Sequence, residues 1–242
     1  MPRAIIVIPC YNEANRLDCN SLKHFTAAAD DLRLLFVDDG STDDTWTILE
    51  DLPGLRLRLP RNSGKGEAVR QGILEATRHE PRYVGFWDAD LSTPLDTIPE
   101  LVDFLESRPD LQMVFGARVK LVGRTIERSE VRHYLGRVMA TFVSMLLGLK
   151  VYDTQCGAKL FRVTPETMDL FARPFITRWL FDVEILARWI ESSRRGERPP
   201  IEQVLYEYPL MHWVHVGGSK LKPRDYVIAL TDLLRIGREY LW

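Results

Sequence analysis

Short apolar runs alternate with segments of helical spacing through the first half of the chain. The runs are rich in Val, Ile, Leu and aromatic residues. We interpret five of them as strands: Ala4–Pro9, Leu34–Asp38, Leu55–Leu59, Tyr83–Asp88 and Met113–Ala117. Helical spacing covers the segments between them, at about 14–29, 43–51, 66–79 and 95–107. Strands separated by helices of this length predict βαβ units and a mostly parallel α/β sheet that is buried on both faces.

The pattern changes from about residue 118, where a basic stretch leads into an apolar helix at 133–149. A helical run at 180–194, a strand at about 201–208 and an amphipathic helix at 225–241 follow. Because no repeat or low-complexity linker separates the two halves, we predict a single domain over residues 1–242.

The composition is that of an ordinary globular protein, with 242 residues, 45% apolar and 27% charged. A formal net charge of -2 gives no reason to expect nucleic-acid binding. The three cysteines are too few for a disulfide scaffold and fit a reducing compartment.

Neither the start of the chain nor its longest apolar stretch predicts a membrane span. The run from Ala4 is short, so we expect no signal peptide there. The stretch from Leu135 to Leu149 is interrupted by Arg137 and is shorter than the roughly 20 residues that a spanning helix needs. We expect a cytoplasmic protein that is soluble or peripheral to the cytoplasmic face of a membrane.

Polar and glycine-rich clusters follow the first four predicted strands. They are Pro9–Glu13, Asp38–Asp43, Arg61–Gly66 and Asp88–Asp90. In open α/β sheets, ligands bind beyond the carboxyl ends of the strands. The sequence therefore predicts a binding site at this edge of the sheet.

Asp88-Ala89-Asp90 places two carboxylates at the end of a strand, where they could share one hard cation. Such oxygen ligands suit Mg²⁺ or Mn²⁺, which also bind phosphates. An Asp-x-Asp triplet can also occur by chance in an acidic chain, and it is the position after Tyr83–Trp87 that favours the metal interpretation.

Asp38-Asp39 and Asn62–Gly66 each allow a structural and a functional interpretation. The first begins a turn whose Ser41 or Thr42 can cap a helix, and one of its aspartates could bind a base or ribose. In the second, glycines on both sides of Lys65 would let backbone amides and one cation approach a nucleotide, although a plain loop explains them equally well.

Four motifs occur in the order Pro9-x-Tyr11-Asn12-Glu13, Asp38-Asp39-Gly40-Ser41, Gly64-Lys65-Gly66 and Asp88-Ala89-Asp90. Together they resemble family 2 glycosyltransferases of the GT-A fold. Asp153–Phe161 and Phe181–Glu184 resemble, more narrowly, the dolichyl-phosphate glucosyltransferase branch.

The resemblance implies a GT-A (Rossmann-like) domain, with a nucleotide-sugar-binding half at 1–117 and an acceptor half at 118–242. It implies inversion at the sugar carbon, with Mg²⁺ or Mn²⁺ on the diphosphate and Asp88 and Asp90 as metal ligands. The implied nucleotide-sugar residues are Pro9, Tyr11, Glu13, Asp38, Asp39, Lys65, Asp88 and Ala89. The candidate catalytic residues are Asp90, Asp153 and Asp182. Ser92 stands where many mannosyl relatives have glutamine, which favours a glucosyl donor and leaves the third metal ligand open.

A phosphate acceptor is already anionic near neutral pH, so it needs positioning by cations more than a general base. The candidate acceptor-phosphate ligands are Arg118, Arg132, Lys159 and Lys220, although each could also be a solvated surface charge. Asp153 or Asp182 could orient the acceptor, or act as base if the acceptor is a hydroxyl; Asp182 could equally cap its helix.

The helix Tyr134–Leu149 is apolar almost all round and fits either a buried core helix or a membrane-interface helix. Flanking cations and the closing amphipathic helix make peripheral membrane contact compatible with the sequence. His212 and His215 flank Trp213 beside Gly217–Lys220, a stretch that is either a mobile lid or a plain loop.

The leading hypothesis is transfer of glucose from UDP-glucose to a polyprenyl or dolichyl phosphate. Two alternatives keep the glycosyltransferase activity, with GDP-mannose as the donor or a small soluble hydroxyl as the acceptor. A third is a nucleotidyltransferase, which the lack of a glycine-rich loop after the first strand disfavours. The fourth is a catalytically silent nucleotide-sugar-binding subunit.

Overall fold

The computed structural model describes residues 1–28, 31–127, 130–216 and 223–242. It does not describe the side chains at 127, 130–135 and 223–227. Two predicted acceptor ligands therefore lie outside the described residues: the side chain of Arg132, and Lys220 altogether.

Strands and helices alternate through the first half, as the pattern predicts. The elements are β1 Ala4–Cys10, α1 Cys19–Ala28, β2 Leu32–Asp38, α2 Thr45–Glu50, β3 Leu55–Arg58, α3 Lys65–Thr77, β4 Tyr83–Trp87, α4 Thr97–Ser107 and β5 Met113–Ala117. The first helix begins five residues later than predicted, because residues 14–18 form turns above the end of β1.

The second half adds strands as well as helices. Its elements are β6 Thr125–Glu127, α5 Glu130–Leu147, β7 Ala158–Arg162, α6 Pro165–Asp169, α7 Phe181–Arg194, α8 Ile201–Val204, β8 Leu205–Pro209, β9 His212–Val214, α9 Pro223–Ile236 and a C-terminal π-helix Gly237–Leu241. The predicted strand at 201–208 is wrong over its first half, where Ile201–Val204 form a helical turn after Pro200.

A seven-stranded sheet runs through both halves in the order β3-β2-β1-β4-β7-β5-β8. All its pairs are parallel except those that β7 makes with β4 and β5. A small parallel pair joins β6 to β9. The predicted mostly parallel α/β architecture is confirmed.

The core lies on both faces of this sheet, as continuous apolar strands require. Along β1, Ile5 and Val7 pack on one face with α3 and α7, whereas Ile6 and Ile8 pack on the other with α1 and α4. No helix within the described residues has the length and apolarity needed to cross a membrane.

The antiparallel direction of β7 matters for the site. Ala158 at its start pairs with Trp87 at the end of β4, so the segment 153–157 reaches the edge where the parallel strands end. The segment 153–157, which is far from Asp88 in sequence, therefore lies at the same edge of the sheet as Asp88.

Candidate active site

A cavity of about 640 Å³ opens at the carboxyl ends of β1 and β4, which are neighbours in the sheet. Pro9, Tyr11 and Glu13 line it from the end of β1, and Ala89 lines it from the end of β4. The second half closes it with residues from α5, α7 and the segment 152–155. This cavity therefore lies at the predicted edge of the sheet.

Asp38 and Asp39 are adjacent in sequence but have different surroundings. Asp38 is fully buried, forms an ion pair with Arg58 at 3.1 Å, and accepts a hydrogen bond from the Ser41 amide. It lies behind the cavity wall. Asp39 lines the cavity and accepts hydrogen bonds from the amides of Ser63 and Gly64 at 2.7 and 2.8 Å. Burial raises the pKa of Asp39, although these amides oppose the shift. Of the pair, Asp39 is the residue that can meet a nucleoside.

Lys65 begins α3 and points into the cavity toward Asp88. Gly64 precedes it with φ of 98°, a conformation that favours glycine and turns the chain from the loop into the helix. The Lys65 ammonium lies 2.5 Å from Asp88 Oδ1. Burial lowers the pKa of Lys65, but the carboxylates of Asp88 and Asp182 outweigh it, so the pKa is raised. Lys65 therefore stays positive within the cavity.

Asp88 is packed directly against the backbone of Gly157. Its amide donates to the Gly157 carbonyl at 3.0 Å, and a Cβ at Gly157 would lie 2.0 Å from the Asp88 carboxylate. Burial raises the pKa of Asp88, but Lys65 outweighs it and leaves the pKa below its ordinary value. Asp88 is therefore an anion held in one orientation.

Asp90 is partly exposed like Asp88, with 28% of its side chain accessible against 33% for Asp88. Its Oδ1 accepts a hydrogen bond from the Ser92 amide at 3.0 Å, and its Oδ2 lies 3.9 Å from Arg16. Leu91 has φ of 52°, so the turn after Asp90 is strained for a residue with a side chain. The turn points Asp90 toward the cavity, which it lines.

A divalent cation fits the chemistry of this wall, although the protein alone does not complete its coordination. Asp88, Asp90 and His215 line the same cavity and offer carboxylate and imidazole ligands. Among the described residues, no group of three His, Cys, Asp or Glu side chains is close enough to hold a metal ion. A cation here would need phosphate oxygens of a bound ligand as well.

Arg118 and Asp153 both line the cavity and are joined to each other. The Arg118 guanidinium donates to both Asp153 oxygens, at 2.6 and 2.7 Å, and stacks on Trp213 with 5.2 Å between the guanidinium carbon and the ring centre. Burial lowers the pKa of Arg118, but Asp153 outweighs it and raises the pKa. Because both Asp153 oxygens accept from the guanidinium, Asp153 fixes the orientation of Arg118.

Asp182 lines the cavity from the first turn of α7, and Lys159 lies behind it. The Lys159 ammonium is fully buried, lies 2.7 Å from Asp182 Oδ1 and donates to the Cys156 carbonyl. Lys159 is buried and does not line the cavity, and its role as a phosphate ligand stays a prediction. Burial raises the pKa of Asp182, with Lys159 and Lys65 opposing.

The sequence motifs did not predict several residues of the cavity wall as site residues. They are Arg16, Arg137, Arg178, Trp179 and His215. Arg137 lies on α5, Arg178 and Trp179 lie in the loop before α7, and His215 follows β9, a strand that the sequence pattern did not predict. Arg16, by contrast, comes three residues after Glu13 and forms an ion pair with it at 3.2 Å, so its spacing was an available signal.

Residues 5–166 match the model of the family described as Glycosyl transferase family 2. The chain is 33% identical to the dolichyl-phosphate beta-glucosyltransferase of Dictyostelium discoideum, over 98% of this chain and 74% of that protein. It is 30% identical to the enzymes of the same name from Saccharomyces cerevisiae and Homo sapiens, over 98% of this chain and 74% and 75% of those proteins.

Similar folds occur in crystal structures of glucosyl-3-phosphoglycerate synthase from Mycobacterium tuberculosis. The complex of that enzyme with UDP gives a TM-score of 0.68 at 20% identity, covering 98% of this chain and 80% of that one. Its complex with Mn²⁺, UDP-glucose and phosphoglyceric acid gives the same values. At this identity the likeness concerns the fold, and the predicted fold class is confirmed.

Proposed function

The chain belongs to glycosyl transferase family 2, and we propose that it transfers glucose from UDP-glucose to a polyprenyl or dolichyl phosphate, with inversion at the sugar carbon. The glucosyl group and the lipid-phosphate acceptor are taken from relatives that align with almost the whole chain. UDP is taken from the complexes of an enzyme with the same fold.

One observation carries the proposal. The carboxylates of Asp88 and Asp90 and the Arg118 guanidinium line the same cavity. Two carboxylates can hold the divalent cation that a nucleotide diphosphate needs, and a guanidinium can bind an anionic acceptor. A nucleotide-sugar-binding subunit without activity would have no use for the acceptor side.

On the donor side, we assign the nucleoside to the wall formed by Pro9, Tyr11 and Asp39, with Glu13 held beside them by Arg16. Ala89 leaves room for the donor between the two aspartates. Lys65 would exchange its contact with Asp88 for the diphosphate, since its charge is maintained in the cavity.

Mg²⁺ or Mn²⁺, held by Asp88 and Asp90 with His215 within the same wall, would stabilise the charge that builds on the departing diphosphate. The residues of the chain position the sugar so that its anomeric carbon faces the acceptor. Attack from the side opposite the diphosphate inverts that carbon in one displacement.

On the acceptor side, a phosphate monoester supplies an oxygen that is already anionic. Arg118, fixed by Asp153, is placed to orient it. Arg132 and Lys220 remain proposals for further phosphate ligands. No proton has to be removed, so Asp182 is not required as a base for this acceptor.

The raised pKa of Asp182 favours a second candidate, transfer to a hydroxyl acceptor. Burial shifts the pKa of this carboxyl toward the range of a general base, and Asp182 lines the cavity. Transfer to a soluble alcohol or sugar, lost in Asp182→Asn, would favour this alternative. Transfer to lipid phosphate that survives Asp182→Asn would favour the main proposal.

The test is to incubate the protein with Mn²⁺, a polyprenyl phosphate and either labelled UDP-glucose or labelled GDP-mannose. The proposal expects label from UDP-glucose to enter the organic phase, and little from GDP-mannose. Asp90→Ala should reduce transfer by about 10³-fold. Asp96→Ala, at an exposed aspartate near the same loop, serves as the matched control and should retain normal transfer. Near-normal transfer by Asp90→Ala would contradict the assigned role.

We also assign the protein to the cytoplasmic face of a membrane as a peripheral protein. A long polyprenyl phosphate stays in the bilayer, so the cavity must be presented to the membrane surface. α5 and α9 carry exposed apolar side chains beside the acceptor half, among them Phe142 and Leu234. Exposed Arg235 on α9 and Arg238 on the C-terminal π-helix suit anionic headgroups.

A further inference from the structure

A second cavity, a shallow groove of about 450 Å³, lies beside the end of α5. One side is formed by Ser144, Met145 and Gly148, and the other by the segment Leu149–Tyr152. Arg137 and Tyr152 line both this groove and the active-site cavity. The two spaces therefore adjoin at that pair of residues.

The walls of the groove are fixed by hydrogen bonds. Gly148, with φ of 64°, ends the helix and reverses the chain. The Ser144 hydroxyl then donates to the Val151 carbonyl at 3.0 Å, which holds the returning segment against α5. Glu207 on β8 accepts hydrogen bonds from the amides of Tyr152 and Asp153, at 2.8 and 2.7 Å. A single segment thus forms the wall of the groove and positions Asp153 in the active site.

The junction carries a cation, and the groove beyond it is mainly apolar with Lys150 as a second cation in its lining. The Arg137 guanidinium stacks on the Tyr152 ring at 4.1 Å and donates to the Tyr152 carbonyl at 3.4 Å. Met145, Leu149 and Val151 provide the apolar lining. A positive charge at the inner end of an apolar channel matches an amphiphile whose anionic head lies in the cavity.

Apolar surface continues outside the groove along α5. Val138, Phe142 and Met145 are spaced i, i+4 and i+7, and each is more than half exposed, with Met145 at 74%. Exposed apolar residues in such a row mark contact with another apolar body. A chain longer than the groove could continue over this face toward the bilayer.

We propose that this groove holds the first isoprene units of the acceptor lipid, with Arg137 placed where the phosphate joins the hydrocarbon chain. The inference rests on the proposed function and adds a subsite that selects acceptors by chain length. The groove assignment predicts that, in solution and without a membrane, an acceptor binds more tightly when its chain is long enough to extend past Arg137.

The test compares two acceptors in solution below their aggregation limit. Dimethylallyl phosphate is too short to enter the groove, and farnesyl phosphate is long enough. The wild-type protein should show a lower KM for farnesyl phosphate. Met145→Glu places a charge in the groove and should raise that KM about tenfold, with the KM for dimethylallyl phosphate and for UDP-glucose within about twofold of wild type. Met145→Leu should behave like wild type.

Met211→Glu is the matched control, because Met211 is also an exposed methionine and lines neither cavity. Two results would overturn the groove assignment and leave the proposed function standing. One is an equal KM for both acceptors in the wild type, and the other is an equal rise in KM for both acceptors in Met145→Glu. A rise in Met211→Glu equal to that in Met145→Glu would overturn it too. Transfer to no prenyl phosphate of any length would overturn the proposed function and the groove with it.

Discussion

Neighbouring aspartates in this protein differ in what surrounds them. Asp38 is paired with Arg58 and Asp88 with Lys65, whereas Asp39 accepts two amide hydrogen bonds and Asp90 lies 3.9 Å from Arg16. Their positions at the sheet edge were predictable from the apolar strands before them. The sequence did not indicate which of Asp38 and Asp39 lines the cavity, because that depends on Arg58 and on the amides of a loop that follows another strand.

Gly157 is a residue-scale test of the site. A Cβ there would lie 2.0 Å from the Asp88 carboxylate, so Gly157→Ala must displace Asp88 or its backbone. Because misplacing a reacting group by about 1 Å can cost about 10²-fold in rate, we expect kcat/KM for transfer to fall by that order. Steady-state kinetics with UDP-glucose measures it.

The control for this variant is Gly123→Ala, at a glycine with open space around its Cβ position. Its positive φ costs some stability but touches no cavity residue. Equal activity of Gly157→Ala and Gly123→Ala would show that Asp88 tolerates displacement and would remove it from the reacting centre.

At the scale of elements, α7 holds the wall of the cavity through one buried side chain. Glu184 is fully buried and accepts hydrogen bonds from the Ile176 amide at 3.0 Å, from Arg188 at 2.7 Å and from the Tyr240 hydroxyl at 2.9 Å. It thereby joins the loop before α7, the helix itself and the C-terminal π-helix. Trp179, in that loop, lines the cavity.

Glu184→Ala should lower the free energy of unfolding by about 3–5 kcal/mol, because it leaves the Arg188 guanidinium buried without its carboxylate. Glu191→Ala removes an exposed ion pair with Arg195 on the same helix and should cost less than about 1 kcal/mol. Urea denaturation followed by circular dichroism compares the two. Similar midpoints for both variants would contradict the anchoring role of Glu184.

Sequence periodicity predicted the regular elements better than the connections between them. The helix at 181–194 lies within one residue of the predicted 180–194, because its apolar spacing is strong. The antiparallel strand β7 was not predicted, since Ala158–Arg162 is short and contains two cations. Its placement depends on pairing with β4 and β5, which lie far away in sequence.

For the molecule as a whole, the second half is part of the same sheet. β7 and β8 lie beyond β4 on the side away from β1, so strands of the second half are built directly into the sheet of the first half. The sequence suggested one domain from the absence of a linker, and the shared sheet gives that suggestion a physical basis. How β7 brings Gly157 to Asp88 could be learned only from the tertiary pairing.

The apolar face of α5 and α9 leads to a prediction about membrane contact. The double variant Phe142→Glu, Leu234→Glu adds charge at two exposed positions and should reduce binding to vesicles of anionic phospholipid by tenfold or more. Vesicle flotation measures the bound fraction, and the activity on dimethylallyl phosphate in solution should not change.

The double variant Leu121→Glu, Val122→Glu is the matched control. It adds the same charge at two exposed apolar positions in the turn before β6, which line neither cavity. Equal vesicle binding by the wild type and both double variants would contradict membrane contact through α5 and α9. It would leave the proposed transfer chemistry unaffected.

The most direct measurement is anomalous diffraction from crystals soaked with UDP and Mn²⁺. The account predicts a manganese peak about 2–2.5 Å from a carboxylate oxygen of Asp90, bridging to the diphosphate, with the uridine beside Asp39. A nucleotide bound away from the carboxyl ends of β1 and β4, or a manganese ion that contacts neither Asp88 nor Asp90, would contradict it.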